Sequence, residues 1–156
     1  MTLKVSWDEY NALVERLALS VHESGFKFNQ IICIARGGLR VGDVLSRIFE
    51  LPLAILSTHS YTAEGGTIRG ELVIAEHMTM TKPRLGERVL LVDDMVDSGK
   101  TLEAVYAELP RRFPMITELK DITSESANVA KNPRLNSSAA KTGITISAPI
   151  RRAPTI

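Results

Sequence analysis

Val89-Leu90-Leu91-Val92-Asp93-Asp94-Met95-Val96-Asp97-Ser98-Gly99-Lys100-Thr101 changes character after its fourth residue. The four leading residues are apolar without alternation, the pattern of a strand covered on both faces. Residues 93 to 100 are polar, and a helix is expected from about Thr101 to Phe113. The first amides of a helix lack intrahelical partners and, with the helix dipole, favour an anion. Ser98 and Thr101 add hydroxyl donors, and Gly99 allows close backbone approach. The segment is a credible cradle for a single phosphate. Gly99-Lys100-Thr101 also has the ending of a nucleotide P-loop, but that pattern needs glycine five residues before Gly99, and Asp94 stands there. Asp93 and Asp97 could cap the turn and helix that follow, the plainer role for a lone aspartate. Three carboxylates beside an anion cradle exceed that need. They require hydroxyls, a proton or Mg²⁺ to face, and a phosphorylated sugar with a metal satisfies all three.

Working outward, Ile31-Ile32-Cys33-Ile34-Ala35 is a second continuous apolar run, closed by Arg36-Gly37-Gly38. Before it, Ser6-Trp7-Asp8-Glu9 has the form of a capping box. Tyr10, Leu13, Val14, Leu17 and Val21 continue at helical spacing to a stop near Gly25. Val41, Val44, Leu45 and Ile48 mark another helix. Short strands are expected over Leu53–Leu56, Glu71–Ile74 and Met115–Leu119, with a turn over Lys82–Gly86. Residues 58–70 are polar and contain glycine, so they are expected to form a long loop, often a lid. The pattern is α/β: a central, mainly parallel sheet flanked by helices. In such sheets ligands bind beyond the carboxyl ends of the strands. Both strong strands end there in unusual loops.

The chain has 156 residues, 44% apolar and 24% charged, which suits one globular domain. Its net charge of +1 argues against a general nucleic-acid binder. With a single cysteine, Cys33, no intramolecular disulfide or Cys-based zinc site can form, and its apolar strand makes it a core residue. His22, His59 and His77 lack metal-ligand spacing and are expected on surfaces or loops. Trp7 is expected to pack against the first helix. The N-terminus lacks the apolar core of a signal peptide, and no apolar run approaches the ~20 residues of a membrane span. A cytoplasmic protein without membrane contact is expected.

All eight aromatic residues lie at or before Phe113. Residues 1–120 hold 14 basic and 16 acidic groups, whereas 121–156 hold five and two. The expected organisation is therefore a core over 1–120 and a divergent C-terminal segment over 121–156, rich in Ser, Thr and Asn.

Residues 89–101 closely resemble the phosphoribosyl-pyrophosphate motif of type I phosphoribosyltransferases, and Ile34-Ala35-Arg36-Gly37-Gly38-Leu39 resembles their pyrophosphate loop. The short chain, the Arg-Gly-Gly loop and the segment from Ser60-Tyr61 to Arg69 look most like the bacterial xanthine-guanine and hypoxanthine enzymes. The likeness covers about residues 3–120. It implies that fold, with a mobile lid over residues 61–70. It also implies transfer of a 5-phosphoribosyl group from phosphoribosyl pyrophosphate to guanine, xanthine or hypoxanthine, with Mg²⁺, in purine salvage. By the same resemblance Arg36, Gly37 and Gly38 hold pyrophosphate, while Asp93 and Asp94 face the ribose hydroxyls, with Asp94 also near the metal. Asp97, Ser98, Gly99, Lys100 and Thr101 wrap the 5′-phosphate, Asp97 handles the proton at purine N7, and Arg69 reaches the diphosphate. A homo-oligomer is expected by analogy. The family's 6-oxopurine enzymes place a lysine for purine O6 and a stacking aromatic beyond the phosphate helix. Here Lys120 is the nearest lysine, and no aromatic follows Phe113. Two alternatives accompany the enzyme: a non-catalytic regulator that binds phosphoribosyl pyrophosphate, and an inactive enzyme with an altered C-terminus.

Overall fold

The computed structural model describes residues 6–62, 69–93 and 100–123. Helix α1 (Trp7–Glu23) begins at the expected capping box. The Glu9 amide donates to Ser6 Oγ at 3.2 Å, and the Ser6 amide donates to the Glu9 carboxylate at 2.8 Å. Val14, Leu17, Ala18 and Val21 form the buried stripe of this helix. Gly25, at φ +71°, turns the chain away two residues beyond it.

Strand β1 (Gln30–Ala35) is followed by α2 (Leu39–Ile48) and β2 (Leu53–Thr62). Then come β3 (Arg69–Ile74), β4 (Thr79–Met80), β5 (Arg88–Asp93), α3 (Lys100–Arg112) and β6 (Glu118–Thr123). The sheet order is β3-β2-β1-β5-β6, with β4 also on β2. β2, β1, β5 and β6 are mutually parallel, whereas β3 and β4 run antiparallel to β2.

The two apolar runs at the centre explain the layering. Ile31, Cys33, Leu90 and Val92 face α1 and α2, and Ile32, Ile34, Val89 and Leu91 face α3. All eight are buried. Each such side chain contributes roughly 1.5–3 kcal/mol through its removal from water. Gly42 lets α2 lie close on β1, because a Cβ there would stand 2.7 Å from Cys33 Cβ. Burial pushes the Cys33 thiol up to about 11, as expected of a core residue. Trp7 differs from expectation: it is 65% exposed, edge-on to Tyr10, with the Arg40 guanidinium 4.6 Å from its ring centre.

Three sequence expectations change. β2 does not stop at Leu56 but runs to Thr62, and β3 starts at Arg69, so much of the expected 58–70 loop is a hairpin. Thr58, His59 and Thr62 suit a strand and pair with β3, with a shift of register between Ser60 and Thr62. Of the proposed lid over 61–70, residues 63–68 lie outside the described residues. The strand expected over Met115–Leu119 is Glu118–Thr123, the last among the described residues. Met115 and Ile116 instead form the turn after α3, where the Ile116 amide donates to the Phe113 carbonyl at 3.0 Å. β6 pairs with β5 as far as Thr123, opposite Asp93.

Asp121 is 7% exposed inside β6 and accepts a 2.5 Å hydrogen bond from the Tyr106 hydroxyl of α3. Replacing Tyr106 with Phe removes the donor and leaves a buried acceptor short of a partner. Urea unfolding should show a loss of about 1–3 kcal/mol; an unchanged midpoint would mean that water takes over the bond.

Candidate active site

The carboxyl ends of β1 and β5 lie side by side, with Cys33 paired to Val92 in parallel register. β1 therefore delivers Arg36-Gly37-Gly38 next to the place where β5 delivers Asp93. The Ala35–Arg36 peptide is cis. The Gly38 amide donates to the Ile34 carbonyl at 2.9 Å, and the Gly38 carbonyl accepts from Gly42 at 2.8 Å at the start of α2. Gly38 lies directly on the end of β5: a Cβ there would overlap the Val92 carbonyl oxygen and stand 2.9 Å from the Ile34 oxygen. Its φ of −70° is open to any residue, so contact alone restricts the position.

Arg36 is exposed on this loop and makes no ion pair among the described residues. Gly37 is half-buried beside it. Asp93 closes β5 at 8% exposure. Lys100 opens α3, and Thr101 stands half-buried in its first turn. A cationic loop and a buried carboxylate therefore stand at the ends of adjacent strands, and α3 begins seven residues after Asp93 in the sequence. That arrangement suits an anionic, hydroxylated ligand. Arg69 begins β3 opposite Thr62. Asp94, Asp97, Ser98 and Gly99 lie outside the described residues.

Lys120, the lysine nearest to the one that reads purine O6 in the family's 6-oxopurine enzymes, lies within β6. It pairs with Leu90 in mid-strand, three residues before the end of β6, and its ammonium lies 4.5 Å from the Phe26 ring centre. The contact is a cation–π interaction on the α1 side of the sheet.

The model of the phosphoribosyl transferase domain matches residues 6–119, most of the chain. The chain belongs to the phosphoribosyltransferase family. As a phosphoribosyltransferase it is an enzyme of the glycosyltransferase type. The purine phosphoribosyltransferase of Pyrococcus horikoshii Ot3 is 30% identical, with a TM-score of 0.62 over 78% of this chain and 76% of that one. The Helicobacter pylori xanthine-guanine-hypoxanthine phosphoribosyltransferase is 26% identical, with a TM-score of 0.62 over 76% and 73%. Adenine phosphoribosyltransferase from Leishmania donovani shares the fold at 17% identity, with a TM-score of 0.52 over 86% of this chain and 60% of that one. The parallel-rich sheet between helices is thus the type I phosphoribosyltransferase fold that the motifs implied. Among the described residues no helix is long and apolar enough to cross a membrane.

Sequence reasoning did not find Arg112. It sits in the last turn of α3, and its guanidinium donates to the Ala75 carbonyl at 2.7 Å and to Glu108 at 2.7 Å. The Glu108–Arg112 spacing of four was a readable signal. The carbonyl 37 residues away was not.

Proposed function

We propose that the chain transfers the 5-phosphoribosyl group of phosphoribosyl pyrophosphate to a 6-oxopurine, giving a nucleoside 5′-monophosphate and pyrophosphate in purine salvage. The observation that carries this reading is the seating of Gly38 on the end of β5, which sets the Arg36 loop beside Asp93. The likeness to two purine enzymes supports the acceptor class.

Breaking the bond from the anomeric carbon to pyrophosphate builds positive charge on the sugar and negative charge on the leaving group. The Arg36 guanidinium and the amides of Gly37 and Gly38 would hold that leaving group. Arg69, at the start of β3, would approach the diphosphate from the opposite strand. Asp93 and Asp94 would accept hydrogen bonds from the ribose hydroxyls. Asp97, Ser98, Gly99, Lys100 and Thr101 would enclose the 5′-phosphate. Asp97 would take the proton from purine N7 as the new bond to the sugar forms. Residues 61–70 would exclude water, which otherwise captures the sugar.

Carboxylate oxygens at the end of β5 suit Mg²⁺, a hard cation commonly held by one or two carboxylates plus substrate oxygens. Asp94 would supply the protein ligand. A Mg²⁺ held there would supply positive charge to offset that of the pyrophosphate leaving group. The protein is expected to act in the cytoplasm as a homo-oligomer.

The acceptor is tested by identifying nucleotide products after separate incubations with guanine, xanthine, hypoxanthine and adenine. A monophosphate from a 6-oxopurine and none from adenine is expected. Product from adenine alone would reverse the assignment.

A further inference from the structure

Ser57 pairs with Ala35, the last residue of β1. From Thr58 onward β2 has outrun β1 and pairs only with β3, as far as Thr62 opposite Arg69. The hairpin is therefore an arm that projects past the end of β1. Its root is closed by the Ala75 amide, which donates to the Ser57 carbonyl at 2.9 Å. The carbonyl of the same residue accepts from Arg112. One peptide neighbourhood thus joins the arm to the sheet through its amide and to α3 through its oxygen.

Arg112 is itself held. Its Nε donates to Glu108 one turn earlier, and both side chains are only about 30% exposed, at 30% and 29%. The hydrogen bond from Arg112 keeps the Glu108 carboxyl below the usual carboxylate range. Arg111 also pairs with Glu108, at 3.3 Å, but its side chain is 80% exposed and it has no bond to Ala75. The two neighbouring arginines differ in the one contact that matters here.

We propose that Arg112 is a positioning residue that fixes the root of the β2–β3 arm to α3, and so fixes where β3 presents Arg69. α3 follows the phosphate cradle at its start and grips the arm near its end. The start of α3 and the strand that begins with Arg69 are then linked through one helix. The consequence for substrate rests on the phosphoribosyl-transfer reading; the mechanical link does not.

The test compares Arg112→Met, Arg112→Lys and Arg111→Met in the full chain. Amide hydrogen exchange reads the arm without any need for turnover. In Arg112→Met, exchange over residues 69–75 should quicken about tenfold, the size expected from losing one charge-assisted hydrogen bond. Exchange in β1 and β5 should stay unchanged. Arg112→Lys, which retains a donor, should recover most of the protection, and Arg111→Met should match the parent. In the same set, KM for phosphoribosyl pyrophosphate should rise severalfold in Arg112→Met alone, with less change in kcat. Unchanged exchange in Arg112→Met, or equal loss in Arg111→Met, overturns the proposal. Faster exchange with an unaltered KM retains the link but removes its bearing on substrate. A parent chain without turnover defeats the functional reading, and the exchange data still decide the role of Arg112.

Discussion

Asp97→Asn should lower turnover by roughly 10²–10⁴-fold, the usual span for losing a positioned general base. Asparagine keeps the shape and a hydrogen-bonding oxygen, so binding of phosphoribosyl pyrophosphate should change little. The distinction matters because Asp97 stands in a segment with four other acidic or hydroxyl side chains, Asp93, Asp94, Ser98 and Thr101. A residue that only capped α3 would cost stability and leave the chemical step alone. Single-turnover rates, set beside a donor titration, separate the two roles. Full turnover in Asp97→Asn would remove it from the proton-handling role.

Gly38→Ala should be nearly as damaging, for a different reason. The added methyl meets the Val92 and Ile34 carbonyl oxygens, which are backbone and cannot swing aside. The loop must lift from β5, carrying the Arg36 guanidinium and the Gly37 amide away from the position proposed for the leaving group. Displacements of about 1 Å at reacting groups cost on the order of 10²-fold in rate. Overpacking adds a stability loss of about 1–3 kcal/mol. Gly25→Ala is the informative control. Gly25 has positive φ but nothing within 4 Å of an added Cβ, and it lies in the turn between α1 and β1. That variant should lose stability alone. Equal activity losses in both variants would show that the Gly38 effect is global unfolding rather than a displaced loop.

The parts of the fold that were legible are those fixed by neighbours in sequence. Ser6 and Glu9 cap α1 across three residues, and the unbroken apolar runs at 31–35 and 89–92 became the buried central strands. β2 was underestimated because Thr58, His59 and Ser60 look like a polar loop until β3 supplies the partner. β6 was misplaced because it carries Lys120 and Asp121 in its middle. Their cost is offset by Phe26 and Tyr106, contacts that span 94 and 15 residues and leave no local pattern. The same distinction governs the site. Arg36-Gly37-Gly38 follows one unbroken apolar run and Asp93 ends the other, and the parallel register of β1 and β5 sets the two side by side. Arg112 was hidden because its second partner is a backbone oxygen, which has no residue identity to read.

Pyrophosphate release from phosphoribosyl pyrophosphate and Mg²⁺, with guanine, xanthine, hypoxanthine, adenine and uracil assayed separately beside a donor-only control, tests the central claim most directly. Release that depends on a 6-oxopurine is the predicted result. No release with any base, while the chain still binds the donor, would contradict transfer and leave a protein that recognises phosphoribosyl pyrophosphate without using it.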